Sequence, residues 1–312
     1  MVNNRFLMTE LYELTMANGF FMSGKANEIA HFDLFFRKVP DKGGFAIFAG
    51  LSRMIELIKN ISFTEEDLGY VKSLGLCDEF IDYLRNFKFQ CDIWSVPEGT
   101  PVFPNEPVIK VRGPIVQAQL IETLLLVCMN HQSLVATKAN RLVRAAKGTT
   151  VAEFGTRRSN GFDMAFYGSR AAYIGGCVGT SGVVQGKKFG IPTMNTMIHS
   201  WVQMFESEYE AFCEFARQYP DDCSLVIDTY DTIRSGVPNA IKAFDTVLKP
   251  MGKRPVSVRI DSGDITYLSK KVRKMLDEAG YPDCSITASN SLDEYIINDM
   301  IFGAVVDKTR TR

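Results

Sequence analysis

Residues able to bind a ligand or take part in catalysis follow a series of short apolar runs in the second half of the chain. We interpret these runs as strands at residues 151–154, 176–178, 192–197, 225–227, 256–260, 285–288 and 304–306. The polar residues at or just after their ends are Arg157, Arg158, Thr180, Ser181, His199, Asp228, Arg259, Asp261, Ser289, Asn290 and Asp307. Arginine can clamp phosphate bidentately, small-residue loops admit phosphate oxygens to the backbone, and aspartate can hold ribose hydroxyls or metal-bound water. The set therefore suits a phosphorylated sugar with a divalent cation.

Each of these residues also has an ordinary structural interpretation. Gly, Asp and Ser are common turn formers, and Asp228 and Asp261 are suited to capping the turns that follow them. Adjacent arginines such as Arg157 and Arg158 are often part of a solvated surface. A hydrogen-bonded structural role is the commoner one for a histidine such as His199, but an imidazole nitrogen can also accept and release a phosphoryl group. His199 is therefore a candidate nucleophile.

The strands alternate with helical patterns, and most intervals between them are close to the roughly 30 residues of a βαβ unit. Such alternation predicts a parallel sheet, and six or seven units predict a (β/α) barrel. The active site of a barrel lies at the carboxyl ends of its strands. We therefore expect residues 149–312 to form an irregular, incomplete barrel domain that brings these polar residues together.

Residues 1–148 are predicted to form an N-terminal α/β sandwich domain with linking helices. Helical spacing predicts helices at residues 9–21, 51–59, 65–73 and 115–146. Thr9 is a candidate N-cap for the first of them. Apolar runs and prolines predict strands at residues 30–37, 45–48, 92–96 and 107–111.

The composition argues against several other classes of protein. The net charge is −1, and the basic residues are scattered among acidic ones, unlike the basic stripe of a nucleic-acid-binding protein. The N-terminus lacks the apolar core of a signal peptide, and the most apolar stretch, at residues 120–129, is too short to span a bilayer. The seven cysteines form no CxxC pair, which indicates reduced thiols in a cytoplasmic protein and argues against a zinc site.

Several separate motifs, in the same order, resemble those of nicotinate phosphoribosyltransferases. They are the segment at residues 10–17 that contains Tyr12, the Phe-Phe-Arg-Lys of residues 35–38, Glu-Phe-Gly-Thr-Arg-Arg at 153–158, Met-Ile-His-Ser-Trp at 197–201, Ile-Asp-Thr-Tyr-Asp at 227–231, Arg-Ile-Asp-Ser-Gly-Asp at 259–264 and Ala-Ser-Asn at 288–290. The resemblance runs from about Met8 to Asn290. It implies a type II phosphoribosyltransferase fold, with an N-terminal α/β sandwich and an irregular barrel.

The resemblance also implies a reaction. Nicotinate and phosphoribosyl diphosphate would give nicotinate mononucleotide and diphosphate, as the first step of NAD biosynthesis from nicotinate. Mg²⁺ would assist, and ATP hydrolysis would be coupled through a phosphohistidine, for which His199 is the candidate. Members of the family act as homodimers in which the N-terminal tyrosine, here Tyr12, reaches the site of the partner subunit.

Further roles follow from the resemblance for the substrate-binding residues. Tyr12 and Phe154 would stack on the two faces of the pyridine ring, Arg157 would bind the phosphates of the sugar donor, and Thr180 and Ser181 would lie near the substituent of the ring. The related nicotinamide-using family carries a carboxylate in place of Ser181. A negative charge ~4 Å from the nicotinate carboxylate costs about 4 kcal/mol at an effective dielectric constant of about 20, so Ser181 favours nicotinate over nicotinamide.

The remaining roles concern the ribose and phosphate groups. Asp228, Arg259 and Asp261 would hold the ribose hydroxyls, the phosphates and Mg²⁺, with the metal reached through water and not ligated directly by protein. Ser289 and Asn290 would contact the region of the 5′-phosphate. The roles of Arg158, Arg37 and Lys38 stay open between diphosphate binding and surface or ion-pair positions.

The resemblance ends in a departure from the family pattern. Members continue into a glycine-rich segment that binds the 5′-phosphate, whereas here Asp307 is followed only by residues 308–312. One alternative is therefore a truncated, catalytically inactive relative that binds nucleotide or a full-length partner. Another alternative is an enzyme whose acceptor is nicotinamide or quinolinate. Ser181 disfavours nicotinamide, and the set of motifs fits a quinolinate-using enzyme poorly.

Overall fold

A computed structural model of the chain describes residues 7–303 and the backbone of residues 308–311. The chain divides into two compact units, Met1–Thr137 and Lys138–Arg312. Each unit has a hydrophobic core of its own. The core of the first includes Phe48, Met54 and Phe80, and the core of the second includes Phe212 and Phe244.

The N-terminal unit combines helices with short antiparallel strands. Its helices are α1 (Leu11–Met22), α2 (Leu51–Lys59), α3 (Glu65–Ser73), α4 (Asp78–Arg85) and α5 (Ile115–Leu120), followed by α6 (Glu122–Ala145), which continues into the second unit. Its strands are β1 (Ile29–Leu34), β2 (Ala46–Ile47), β3 (Asp92–Ser95), β4 (Pro101–Val102) and β5 (Ile109–Pro114). β5 lies between β1 and β3 in one sheet, and β2 pairs with β4 in another.

Two features of this unit differ from the sequence prediction. Thr9 is not the N-cap of α1: the cap position is Glu10, and the Thr9 hydroxyl instead donates to the Glu13 carboxylate. Helix α4 was not predicted, although Phe80, Ile81 and Leu84 have helical spacing and are all buried. The predicted α3 is correct at both ends, and a reciprocal capping box of Thr64 and Asp67 defines its start.

The helical segment Ile115–Ala145 is long and apolar enough to cross a membrane by length and composition alone. It is much longer than the apolar stretch at 120–129 considered in the sequence, because the helix continues on both sides of that stretch. In the folded chain, 56% of its most apolar window is buried. Leu124, Leu125 and Met129 belong to the core of the N-terminal unit, which is the environment of a core helix.

The C-terminal unit is built on a parallel sheet. Its strands are β6 (Thr150–Glu153), β7 (Ser224–Val226), β8 (Ser257–Ile260), β9 (Ser285–Ala288) and β10 (Lys308–Thr311), in the order β6-β10-β9-β8-β7. Its helices after α6 are α7 (Phe162–Ile174), α8 (Val183–Phe189), α9 (His199–Gln203), α10 (Glu208–Gln218), α11 (Val237–Ala243), α12 (Ile265–Glu278) and α13 (Glu294–Gly303). Strands and helices alternate as the sequence predicted.

Single-residue bridges extend this parallel arrangement beyond β6. Glu153 bridges to Thr180, and Thr180 bridges to Thr193. The Thr196 hydroxyl then donates to the backbone carbonyl of Ser224 at 3.4 Å, which brings this segment back to β7. The described strands and bridges therefore follow one another around a ring.

The strands predicted at residues 176–178 and 192–197 are wrong as continuous strands. The first run contains no bridge, since the bridging residue Thr180 lies just beyond it, and the second is reduced to the bridge at Thr193. Gly176 has a left-handed φ of 111°, which interrupts an extended run. The N–H of Thr196 bonds to the side chain of Asn195 and is not available to a ladder. The predicted strand at 304–306 and Asp307 lie outside the described residues.

Candidate active site

A cavity of about 330 Å³ lies at the carboxyl ends of the parallel strands in the C-terminal unit. Its lining residues are Phe154, Thr156, Arg157, Arg158, Ser181, Met194, Asn195, Thr196, Ile198, Arg259, Asp261, Ser289 and Asn290. They follow β6, the bridges at Thr180 and Thr193, β8 and β9, so five segments that are distant in sequence meet in one place.

The cavity carries an excess of positive charge. Arg157 and Arg158 are exposed on a single 3₁₀ turn, Thr156–Arg158, that directly follows β6. Neither guanidinium forms an ion pair with a carboxylate of the described residues. With Arg259 they give three cations against the one carboxylate of Asp261 in the lining. The hydroxyl of Thr156 is buried and lacks a hydrogen-bond partner in the described part of the chain. This combination favours a polyanionic ligand.

Arg259, Asp261 and Ser289 form a hydrogen-bonded triangle at the ends of β8 and β9. Arg259 donates from Nε to the Ser289 hydroxyl at 2.8 Å and from Nη2 to Asp261 Oδ1 at 2.7 Å, and Ser289 donates to the same Asp261 oxygen. Burial opposes ionisation of Asp261, but the bond from Ser289 and the charge of Arg259 outweigh it and hold its pKa below the ordinary value. The guanidinium is thus fixed in one orientation.

Asp228 supports this triangle from behind. Its Oδ2 accepts hydrogen bonds from the backbone N–H of Asp261 at 2.8 Å and from the Ser262 hydroxyl at 2.6 Å. Its Oδ1 is buried and has no hydrogen-bond partner among residues 7–303. A buried acceptor without a partner is costly, so this oxygen is suited to a hydroxyl or a water molecule that arrives with a ligand.

His199 lies at the start of α9, next to the lining residue Ile198. Its Nδ1 is 3.1 Å from the Thr229 hydroxyl, and its Nε2 is 3.7 Å from Asp261 Oδ2. The side chain is 38% exposed. One ring nitrogen is therefore oriented by a hydroxyl, while the other faces a carboxylate and solvent.

Ser181 and Thr180 are adjacent, but they face different surroundings. Ser181 lines the cavity, and its hydroxyl has no hydrogen-bond partner among the residues that the structure describes. The hydroxyl of Thr180 is buried, donates to Glu153 at 2.6 Å and accepts from the N–H of Gly182 at 3.0 Å. Thr180 is not among the lining residues, and its hydrogen bonds give it a supporting position beside Ser181, while its predicted contact with the ligand stays a prediction.

Asn290 completes the rim in a strained conformation. Its φ is 91°, and that of the next residue, Ser291, is 50°, so two consecutive non-glycine residues are left-handed. Such residues are uncommon and concentrate at functional sites, where the surrounding structure holds them. This backbone reversal directs the chain away from β9 immediately after Ser289.

Sequence reasoning missed several residues of the site. Met194, Asn195, Thr196 and Ile198 line the cavity, and they lie within or next to the segment that was wrongly predicted as a strand. Glu153 was part of a quoted motif but received no role, although its carboxylate accepts three hydrogen bonds. Polar side chains that converge on one acceptor leave no mark in sequence spacing.

The other predicted residues lie in the N-terminal unit. Tyr12 on α1 is 41% exposed. Its pKa is raised to about 12, first by partial burial and second by a hydrogen bond to Glu122. Arg37 lines a separate cavity of about 210 Å³ together with Phe32 and Glu122, and Lys38 is exposed. Within residues 7–303, there is no group of three or more His, Cys, Asp or Glu side chains arranged to hold a metal ion.

Comparison with known proteins agrees with this architecture. The family described as nicotinate phosphoribosyltransferase (NAPRTase) N-terminal domain matches residues 7–130, and the nicotinate phosphoribosyltransferase (NAPRTase) family matches residues 149–298. The chain is 47% identical to a nicotinate phosphoribosyltransferase of Bacillus subtilis, with 96% of this chain and 61% of the relative covered. It is 44% identical to one from Mycobacterium tuberculosis, with 92% and 61% covered.

A solved structure of human nicotinic acid phosphoribosyltransferase superimposes with a TM-score of 0.90 at 29% identity, covering 97% of this chain and 72% of the human one. The expected type II phosphoribosyltransferase architecture is thereby confirmed. The chain spans about three fifths of the length of the two curated relatives described above. The two matched family regions, the identities and the shared fold together establish that the chain belongs to the nicotinate phosphoribosyltransferase family.

Proposed function

We propose that the chain transfers the phosphoribosyl group of phosphoribosyl diphosphate to nicotinate, forming nicotinate mononucleotide and releasing diphosphate. The observation that carries this proposal is the meeting of Arg157, Ser181 and the Arg259–Asp261 pair in one cavity at the strand ends. The relatives named nicotinate phosphoribosyltransferase support the same substrates. In this proposal residues 149–312 bind the donor and the acceptor, and residues 1–148 form the N-terminal domain.

The phosphates of the donor are assigned to the cationic side of the cavity. Arg157, with Arg158 beside it, has a guanidinium free to clamp phosphate oxygens, and the backbone near Ser289 and Asn290 borders the 5′-phosphate region. Arg259 is held by Asp261 and Ser289, so little side-chain entropy is lost when it binds the leaving diphosphate. Charge that develops on the departing diphosphate is stabilised by these fixed cations.

The nicotinate ring is assigned to the opposite side. Phe154 offers an aromatic face in the lining, and Tyr12 of a second subunit supplies the other face in a homodimer. The unpartnered hydroxyl of Ser181 is neutral and can donate to the nicotinate carboxylate. The pyridine nitrogen carries its own lone pair and attacks the anomeric carbon as the bond to diphosphate breaks, so the reaction needs no general base.

The ribose hydroxyls are assigned to Asp228 and Asp261. Oδ1 of Asp228 is buried without a partner among the described residues, and a ribose hydroxyl or a water molecule on Mg²⁺ would satisfy it. The two carboxylates would hold Mg²⁺ through water, and the metal would supply charge neutralisation of the leaving group. Asp228 itself holds the Asp261 N–H and the Ser262 hydroxyl.

ATP coupling is assigned to His199. The Thr229 hydroxyl orients the ring through Nδ1, which leaves Nε2 to attack the γ-phosphorus of ATP while ADP departs. The carboxylate of Asp261 lies 3.7 Å from Nε2, beside the nitrogen that would carry the phosphoryl group. We further propose a cytoplasmic homodimer, in which Tyr12 of each subunit completes the site of the other.

The decisive experiment is an assay of the purified 312-residue chain. Nicotinate, phosphoribosyl diphosphate, Mg²⁺ and ATP are supplied, and nicotinate mononucleotide is measured by chromatography, with Arg157→Ala as the matched negative control. Formation of the product by the wild-type chain alone supports the proposal. Binding of the mononucleotide in calorimetry without any turnover would instead support the inactive nucleotide-binding relative. The absence of both binding and turnover would exclude the active enzyme and the inactive relative alike.

A further inference from the structure

Glu153 fixes three separate segments around the cavity, although it is not among the residues that line it. Its Oε1 accepts a hydrogen bond from the backbone N–H of Gly155. Its Oε2 accepts from the hydroxyl of Ser169 on α7 at 2.7 Å and from the hydroxyl of Thr180 at 2.6 Å. One side chain thus connects the loop after β6, a helix and the bridge segment.

The backbone of Glu153 makes two further connections to the same region. Its N–H donates to the carbonyl of Gly179 at 2.9 Å, and its carbonyl accepts from the N–H of Ser181 at 3.0 Å. Residues 179–181 are therefore fixed to Glu153 by both main chain and side chain. Ser181 lines the cavity, and the bond from its N–H to the Glu153 carbonyl makes its position depend directly on this residue.

The segment on the other side of the cavity depends on the same carboxylate. Gly155 immediately precedes the turn Thr156–Arg158, and Phe154 stands between Glu153 and Gly155. The side-chain bond to the Gly155 N–H closes a tight local loop around Phe154. The backbone at Phe154 and the start of the arginine turn are consequently held together.

A carboxylate suits this position better than any neutral side chain. Ser169 and Thr180 are both buried, so their hydroxyl protons need acceptors inside the protein. An ionised carboxylate is an acceptor at both oxygens and can take all three donors at once. Charge-assisted bonds of this kind are stronger than neutral ones, which keeps the three segments at fixed distances.

We propose that Glu153 is a positioning residue that sets the separation between the phosphate-binding arginine turn and Ser181, and so holds the donor and the acceptor at reacting distance. This inference rests on the proposed function for the identity of the two substrates. It assigns no substrate contact to Glu153 itself. The role predicts that loss of the carboxylate affects the two substrates together, because it disturbs both sides of the cavity.

The test compares four variants under the assay conditions described above. Glu153→Ala removes all three bonds, and we expect the KM values for nicotinate and for phosphoribosyl diphosphate to rise together, with kcat/KM falling roughly 100-fold. Glu153→Gln retains an acceptor for the Gly155 N–H, but its NH₂ group cannot accept the hydroxyl protons of Ser169 and Thr180, so only part of the activity should return. The Glu153 carboxylate joins the sides of the cavity through its bonds to Gly155 and to Thr180. Thr180→Val removes the second of these bonds and should give an intermediate loss of kcat/KM.

Ser169→Ala is the matched control. It removes a donor to the same Glu153 oxygen from α7 but leaves the links to Gly155 and Thr180 in place, so both KM values should stay close to those of the wild type. A residue that only stabilised the fold would lower Tm and the active fraction without raising both KM values. That pattern, or equal losses in Ser169→Ala and Thr180→Val, would overturn the proposal.

Amide hydrogen exchange separates this inference from the proposed function. In Glu153→Ala, exchange should accelerate at residues 155–158 and 181–182 while the amides of β7 and β8 stay protected. If exchange at these residues is faster in Glu153→Ala but the wild type makes no mononucleotide, the anchoring role stands and only the proposed reaction is refuted. Unchanged exchange in both segments would refute the role of Glu153 even if the wild type is active. Should Glu153→Ala not fold, Thr180→Val gives the same readout at 181–182.

Discussion

The carboxylate of Asp228 at the end of β7 accepts a hydrogen bond from the backbone N–H of Asp261, at the end of β8, with a distance of 2.8 Å. The bond fixes the two strand ends relative to each other and leaves Oδ1 of Asp228 buried without a partner in the described residues. The same side chain therefore supports the site with one oxygen and offers the other to a ligand.

Asp228→Asn should separate these two roles. The amide oxygen can still accept from the Asp261 N–H, but the NH₂ group replaces the free acceptor, so a ribose hydroxyl or metal-bound water loses its partner. We expect kcat/KM for phosphoribosyl diphosphate to fall roughly 100-fold, as for a lost transition-state contact, with Tm nearly unchanged. Steady-state kinetics and thermal unfolding measure the two effects, and an unaltered kcat/KM would show that Oδ1 receives nothing from the substrate.

Ser181→Asp should act against the acceptor. A carboxylate ~4 Å from that of nicotinate costs about 4 kcal/mol at an effective dielectric constant of about 20, which corresponds to roughly a thousandfold loss in kcat/KM. Turnover with nicotinamide should fall much less, since nicotinamide is neutral. Ser181→Asn is the control of similar size without the charge, and a ratio of the two substrates that does not change would remove Ser181 from the specificity argument.

His199→Ala should abolish ATP coupling without destroying the phosphoribosyl site. The variant lacks the nitrogen that accepts the phosphoryl group, so incubation with labelled ATP should yield no acid-labile phosphate on the protein. Uncoupled formation of mononucleotide should persist at a lower rate, because Arg157 and Arg259 are unaltered. Labelled phosphate that persists in the variant would require another acceptor.

Glu294 on α13 should make stability fall at acidic pH. Burial opposes its ionisation, but a hydrogen bond from Lys138 at 2.5 Å, together with the nearby charge of Arg141, outweighs burial and lowers the pKa of Glu294. A lowered pKa means that the contribution is fully present above the unfolded value of about 4.3 and is lost as the pH falls through the folded value.

The measurement is the pH dependence of denaturant unfolding in the wild type and in Glu294→Gln. We expect the two stability curves to begin to converge as the pH falls below the unfolded pKa and to meet once it has fallen through the lower folded pKa, because the folded wild type then carries a protonated side chain at this position. Lys138→Met should remove most of the difference at neutral pH. Parallel curves across the acidic range would contradict the lowered pKa.

The sequence predicted the architecture of the barrel domain well because its strands are buried on both faces. Residues 225–227 are continuously apolar and residues 285–288 are mostly buried, and each run is followed by a polar residue at the strand end, so the positions of Asp228 and Ser289 could be read directly. These strand ends meet because parallel strands place their carboxyl ends at the same edge. Convergence of Arg157, Ser181, Arg259, Asp261, Ser289 and Asn290 on one cavity followed from that rule.

The remaining parts depend on contacts that sequence spacing does not encode. The segments around Thr180 and Thr193 form only single-residue bridges and no continuous ladder. In the second segment, the side chain of Asn195 takes up the backbone donor of Thr196. Glu153 and Thr180 differ from ligand-binding residues only in that their side chains bond to other protein groups and do not line the cavity. The direction of the Glu153 side chain is decided by three hydrogen-bond donors, one in the local turn after it and two far from it in sequence. No pattern of residue types in the sequence shows these donors.

The left-handed pair Asn290 and Ser291 bears on how stable this protein can become. Backbone held in such regions costs of order 1–3 kcal/mol per residue, a free energy that the buried β8 and β9 strands must supply. Glycine at position 290 would relieve the strain and also loosen the rim next to Ser289. The left-handed pair therefore ties the shape of the pocket rim to a cost in stability, and a substitution that lowers the cost also changes the rim.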